Sequence, residues 1–138
     1  MPNNDFTTKL LELEDVNIND VQSTNTEIHV HFTMNRRTHK CPKCGNLTDK
    51  VHDYRVSIIK DIPFMGKKAF MHYKKRRYCC TACNKRFYEN CPIIRKHCRI
   101  TTRLVYYAID LLRDRQSVSS SASLAGISCS SLFRFISY

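Results

Sequence analysis

Two Cys-x-x-Cys pairs, Cys41-Pro42-Lys43-Cys44 and Cys80-Thr81-Ala82-Cys83, constrain this chain more than any other feature. Four thiolates at these spacings close a tetrahedral site on one zinc ion, so that metal binding becomes folding free energy. The segment between the pairs is then a loop clamped at its base. Eight cysteines also allow a disulfide scaffold. Against it, Met1-Pro2-Asn3-Asn4-Asp5 lacks the basic and apolar regions of a secretory signal, and no apolar run spans a membrane. The expectation is a cytoplasmic chain with no membrane partner. In that reducing compartment the paired spacing favours one structural zinc on Cys41, Cys44, Cys80 and Cys83 over disulfides. His39, His52 and His72 are then spare, because four cysteines complete the site. Cys79 reads as a strand residue. Cys91 and Cys98, with His97 nearby, are too irregular for a second site and read as small apolar residues, and Cys129 reads as packing.

The net charge of +11 is concentrated. Residues 1–35 hold one Lys against six acids, whereas residues 36–103 hold 19 Lys and Arg against four acids. Zinc on four thiolates carries a local −2 and leaves that middle block strongly positive. Such a block suits a polyanion, through phosphate contacts and counterion release.

Three segments follow. Residues 1–35 read as an acidic, β-hairpin-like segment: Asp15 to Val21 alternates in part, Ile28 to Phe32 alternates apolar and polar, and Thr24-Asn25-Thr26 is the turn. Residues 36–92 read as a zinc ribbon. Gly45 and Asn84 directly follow the two pairs, where a left-handed backbone is needed. Tyr54–Ile59 and Ala69–Tyr78 are its antiparallel strands, and Ile62-Pro63-Phe64-Met65-Gly66 lies in their connection. So small a domain cannot stand on its apolar core alone, and the metal supplies the rest.

Residues 93–138 read as three helices, making the whole α+β: a small four-cysteine ribbon followed by a three-helix helix-turn-helix. Thr101 or Thr102 caps a helix to about Arg113, with Leu104, Tyr107 or Ala108, Leu111 and Leu112 on one face. Val118–Ala125 is the second helix and Cys129–Ser137 the third, capped by Ser128. Ala122, Gly126, Ile127 and Leu132 have helix-turn-helix spacing. Val118, Leu124 or Ala125, Ile127 and Leu132 fill the shared core. Ser121 stands where an apolar residue is expected, and Ser119-Ser120-Ser121 is a poor helix former.

Cys41-Pro42-x-Cys44-Gly45, Val51-His52-Asp53-Tyr54-Arg55, Lys60-Asp61-Ile62-Pro63, Arg76-Arg77-Tyr78-x-Cys80-x-x-Cys83-x-x-x-Phe87 and Thr102-Arg103-Leu104 together resemble the N-terminal part of insertion-sequence transposases of the ISL-three family. The resemblance implies a zinc-binding domain, a helix-turn-helix and then a catalytic domain with an Asp-Asp-Glu metal site. Thr81 and Asn84 depart from the family's proline and glycine without removing a ligand. After Arg103 the only acids are Asp110 and Asp114, about one turn apart, which cannot converge as two-metal phosphoryl transfer requires. The expectation is therefore a non-enzymatic, truncated DNA-binding fragment.

The implied function is recognition of terminal inverted repeats on double-stranded DNA in transposition, with full-length transposase or a second copy as further partners and a nucleoid association when bound. A transcription regulator built from the same modules is the alternative. Lys67, Lys68, Lys74, Lys75, Arg76, Arg77, Lys85 and Arg86 are the candidate phosphate contacts, some of them facing away because strands alternate sides. Ser128, Ser130, Ser131 and Arg134 are candidates for base or phosphate contact from the third helix. The same serines equally suit capping and solvating a short helix.

Overall fold

A computed structural model describes residues 16–94, 99–114 and 117–136. His97 and Cys98, two of the three residues of the irregular second cluster, lie outside the described residues, as do residues 1–15 of the acidic segment. Among the described residues, seven strands run in chain order: β1 (Val16–Ser23), β2 (Glu27–Met34), β3 (His39–Lys40), β4 (Leu47–Thr48), β5 (Val51–Phe64), β6 (Lys67–Cys79) and β7 (Arg86–Tyr88). Among the same residues, three helices follow them: α1 (Thr102–Arg113), α2 (Val118–Ala125) and α3 (Cys129–Ile136). The architecture is α+β.

The main sheet has the order β1-β2-β6-β5, with β7 pairing the end of β6, and β3 pairs β4 in a separate two-stranded sheet. Both short pairings are antiparallel, as a ribbon requires: His39 opposes Thr48, and Tyr78 opposes Phe87. Stacked rings His31–His72 and Phe32–Tyr73 advance together along β2 and β6, so those two strands run parallel. The alternation read in β2 is realised, with Val30, Phe32 and Met34 buried and their neighbours half-exposed. Thr24 closes the β1–β2 turn, its Oγ1 accepting the Glu27 N–H at 3.0 Å.

The β5–β6 hairpin is longer than its sequence implies. Ile62, Pro63 and Phe64 belong to β5 rather than to a loop, and only Met65-Gly66 makes the turn. Both turn residues have positive φ, 53° and 73°, the signature of a two-residue type I′ hairpin. Pro63 is tolerated because β5 ends the strand order, and an edge strand needs no N–H on its outer side.

By contacts the chain divides into two compact units. One takes the residues through Val21, Val30–Ile58 and His72–Pro92; the other takes Gln22–His29, Ile59–Met71 and the chain from Ile93. In the first, Phe32 and Tyr78 are wholly buried. Its buried acid Glu89 accepts from Tyr73 Oη at 2.7 Å, from the Arg76 N–H at 3.1 Å and from Arg76 Nη1 at 3.5 Å. Burial and the Glu89 carboxylate hold the Tyr73 phenol well above its ordinary pKa. Cys91 is buried, its thiol 3.7 Å from Met34 Sδ, in keeping with a small apolar residue.

In the second unit, Leu104, Val105, Ala108, Ala122, Ala125, Ile127 and Leu132 form the helical core. Ala125 takes the position for which Leu124 was the alternative; Leu124 is half-exposed. Thr101 is the N-cap of α1, its Oγ1 accepting the Leu104 N–H at 3.3 Å. Ser117 caps α2 by accepting the Ser120 N–H at 3.0 Å. Gly126 (φ 74°) ends α2: its N–H reaches Ser123 O while the Ile127 N–H reaches Ala122 O. Those two bonds are the Schellman closure that a left-handed residue permits. Ser121 is fully buried, and its hydroxyl has no hydrogen-bond partner.

Candidate metal centre and nucleic-acid interface

The two knuckles are built alike. In the first, the Cys41 N–H donates to Asn46 O (2.8 Å) and the Gly45 N–H to Cys41 O (3.0 Å). In the second, the Cys80 N–H donates to Lys85 O (2.9 Å) and the Asn84 N–H to Cys80 O (3.0 Å). Gly45 and Asn84 supply the left-handed turns at φ 79° and 59°. Two separate stretches of chain thus fold into the same loop, each aiming two sulfurs inwards.

Cys41 Sγ lies 3.5 Å from Cys83 Sγ, and Cys44 Sγ lies 3.4 Å from Cys80 Sγ. All four sulfurs fall within 4.8 Å of one another. A tetrahedron of zinc–sulfur bonds about 2.3 Å long has edges of about 3.8 Å, so the cluster has the size of a four-thiolate zinc site. Its electrostatics ask for a cation. The Cys44 N–H holds the Cys41 thiol down to about 6, and the Cys83 N–H lowers Cys80 in the same way. At Cys44 the Asn46 N–H also favours the thiolate, but the crowding sulfurs of Cys80, Cys83 and Cys41, with burial, outweigh it and push the group up to about 12. Backbone dipoles prepare some thiolates, and a divalent ion lets all four ionise together.

The other predicted spectators are accounted for. Cys79 lies in β6, with its thiol 3.8 Å from Cys80 O. His39 packs on the Tyr78 ring, with centroids 4.5 Å apart, and His72 stacks on His31. Cys129 is exposed rather than packed, at the first position of α3.

The basic residues do not form one uniform surface. Arg76 serves the interior, reaching Met34 O at 2.5 Å as well as Glu89. Arg77 forms a two-pronged pair with Asp53, one bond being Nε to Oδ1 at 2.8 Å. Asp53 is held below the usual carboxylate range by that guanidinium. Lys67 Nζ donates to Ser23 Oγ at 2.7 Å. The ammonium of Lys74 sits 4.9 Å from the Tyr54 ring centre, and that of Lys75 sits 4.3 Å from Tyr88. Lys68, Lys85 and Arg86 are exposed, the last two immediately after the second knuckle.

On α3, Ser128, Ser130 and Arg134 are exposed and Ser131 is half-buried. Ser128 Oγ accepts the Ser131 N–H at 3.1 Å, the capping role read for it. Asp110 and Asp114 are both exposed, and Asp110 meets Arg113 at 3.4 Å.

Asp61 is a residue whose role residue types alone do not reveal. Buried in β5, it accepts from Thr101 Oγ1 at 2.8 Å and from Arg103 Nε at 2.7 Å, with a second guanidinium contact. It thereby fixes the cap of α1 and the first turn behind it. Beside it, the Lys60 N–H and C=O pair with Arg99 and Thr101, and Lys60 Nζ reaches Gly126 O at 3.4 Å. The signal available was a lone acid between basic strands, followed forty residues later by Thr-Thr-Arg.

A cysteine-clamped ribbon followed by a helix-turn-helix defines a class of DNA-binding protein, and comparison with known families specifies it. A family model described as the zinc-finger of transposase IS204/IS1001/IS1096/IS1165 matches residues 37–83. A second, the helix-turn-helix domain of transposase family ISL3, matches residues 89–131. The chain belongs to the ISL3 transposase family, and both matched regions are DNA-binding modules. No curated protein and no solved structure matches it. No helix among the described residues is long and apolar enough to cross a membrane.

Proposed function

We propose that this chain recognises the terminal inverted repeats of an insertion sequence on double-stranded DNA, as the DNA-binding part of transposition rather than the cutting part. The observation that carries the reading is the succession of the ISL3 ribbon and helix-turn-helix in one strongly basic chain. In this reading zinc holds the ribbon closed. Lys68, Lys85 and Arg86, with Lys74 and Lys75 held over tyrosine rings, neutralise phosphates, which set register without reading sequence. Arg76 and Arg77 contribute less, since each already neutralises a carboxylate. The three helices act as a helix-turn-helix in which α2, Gly126 and α3 are the reading unit. Ser128, Ser130 and Arg134 lead α3 into the major groove, where the early residues of a recognition helix meet base edges.

The test is a binding titration with zinc-loaded protein on duplexes carrying the element's own terminal repeat and on scrambled duplexes of equal length. The repeat is expected to bind more tightly at every salt concentration. Equal affinity for both duplexes defeats the recognition claim while leaving non-specific DNA binding intact.

A further inference from the structure

The β5–β6 hairpin ends in a residue that its own turn disfavours. A type I′ turn needs positive φ at both central positions, which glycine, asparagine and aspartate adopt most readily. Gly66 fits that rule at φ 73°, but the first position holds Met65 at φ 53°. Burial does not compensate it. Met65 is 82% exposed, ahead of Leu47 at 71% and Val56 at 63% among the described large apolar residues. A single exposed apolar residue needs no explanation. A long apolar side chain kept in a strained conformation and left in solvent does.

The surroundings of the tip narrow what it meets. Residues 62–68 hold two lysines and no acid. The Lys68 N–H donates to Thr26 O at 3.0 Å and Lys67 Nζ to Ser23 Oγ at 2.7 Å, so the β1–β2 turn braces the tip. Glu27, the acid that follows that turn, faces His29 Nε2 at 3.1 Å. Lower down, the hairpin is fastened to the helices. Lys60 pairs with Arg99 and Thr101, Asp61 holds Thr101 and Arg103, and Ile62 packs on the helical core. Lys60 Nζ also reaches Gly126 O, between α2 and α3. Tip, brace and helices all belong to the second compact unit. Met65 lies five residues beyond Lys60, a reach of about 17 Å in extended chain. Half of the B-DNA repeat of about 34 Å, the step from a major groove to the adjacent minor groove, is the same length.

We propose that the hairpin tip enters the minor groove beside the site that α3 reads, with Met65 wedged between base pairs and Lys67 and Lys68 on the flanking phosphates. The proposal rests on the reading of the chain as a binder of duplex DNA. Met65 is unbranched and adaptable, and methionine is among the residue types that unstack a base step and kink the duplex. Gly66 beside it carries no side chain, so the wedge is one residue wide. Two adjacent lysines disfavour burial of the tip against an apolar partner, whereas phosphates on either side of a groove suit them.

The experiment footprints the zinc-loaded chain on the terminal-repeat duplex with dimethyl sulfate, which methylates guanine N7 in the major groove and adenine N3 in the minor groove. Energy transfer between dyes at the two ends of the duplex reports bending. The expected result is protection in both grooves and a bend of at least about 20°. Met65→Asn suits the turn better and should keep or raise the melting temperature. It should retain the guanine protection, lose the adenine protection and leave the duplex straight. Met65→Leu should retain the bend, since a wedge needs apolar bulk rather than sulfur. A straight duplex under the parent chain overturns the proposal, as does a bend that Met65→Asn leaves intact. A Met65→Asn chain that loses protection in both grooves together assigns Met65 to general affinity and overturns it as well. If the repeat and a scrambled duplex are protected alike, the recognition reading fails, while a bend abolished by Met65→Asn still upholds the wedge.

Discussion

The buried hydroxyl of Ser121 makes a sign prediction: removing it should stabilise the helical unit. Ser121 is fully buried and its Oγ is unpartnered, while its backbone N–H makes the ordinary helical bond to Ser117 O at 2.8 Å. A buried hydroxyl without a partner costs about 1–3 kcal/mol of lost hydration. Serine gives up about 0.5 kcal/mol of helix propensity relative to alanine. The cavity left by one oxygen, roughly 10 Å³, returns only about 0.2 kcal/mol at the usual cost per unit volume. Ser121→Ala should therefore gain about 1.5–3 kcal/mol, read as a higher urea midpoint in the helical circular dichroism of zinc-loaded protein. Ser123→Ala is the internal control. It lies on the same helix but is exposed, and should gain only the propensity of about 0.5 kcal/mol. If Ser121→Ala gains no more than Ser123→Ala, or loses stability, the hydroxyl is satisfied in solution and the reasoning fails.

Three further outcomes follow from named contacts. Cys80→Ser, or a strong chelator, should unfold the ribbon, because structural zinc contributes about 10–16 kcal/mol where a whole domain has about 5–15; ribbon amide exchange unchanged by chelation contradicts this. Glu89→Ala should cost about 3–5 kcal/mol by leaving Arg76 buried without its counter-charge, measured by denaturant unfolding. Asp61→Ala should cost about 2–4 kcal/mol, discounted because Arg103 is about a third exposed, and should fray the start of α1 in hydrogen exchange around Leu104.

Local chemistry was legible where spacing determines geometry. Cys41, Cys44, Cys80 and Cys83 converge as their spacing requires, Gly45 and Asn84 adopt the left-handed turns assigned to them, and Gly126 turns the chain between α2 and α3. The helices begin at Thr102, Val118 and Cys129, just behind serine or threonine caps. What escaped was tertiary. Ile62-Pro63-Phe64 reads as a connection because proline interrupts strands, but an edge strand accepts it. Val105 is buried although the helical face drawn from Leu104 passes it by. Arg76 and Arg77 look identical to their lysine neighbours in a charge count, and only the fold brings Glu89 and Asp53 to them. Alternation in β5 gives the period of the strand but not which side the core lies on, a choice made by neighbouring strands.

The central claim is that a metal-closed ribbon and a helix-turn-helix together grip DNA. Its most direct test is the affinity of one duplex, carrying a terminal repeat, for the same protein with and without zinc across a salt series. The account predicts tight binding by the zinc form, with log affinity falling linearly in log salt by about 0.9 per phosphate neutralised. It also predicts a smaller slope and weaker binding once the metal is removed. Binding with the same strength and the same slope in both forms would contradict it, because the ribbon would then have no part in holding the DNA.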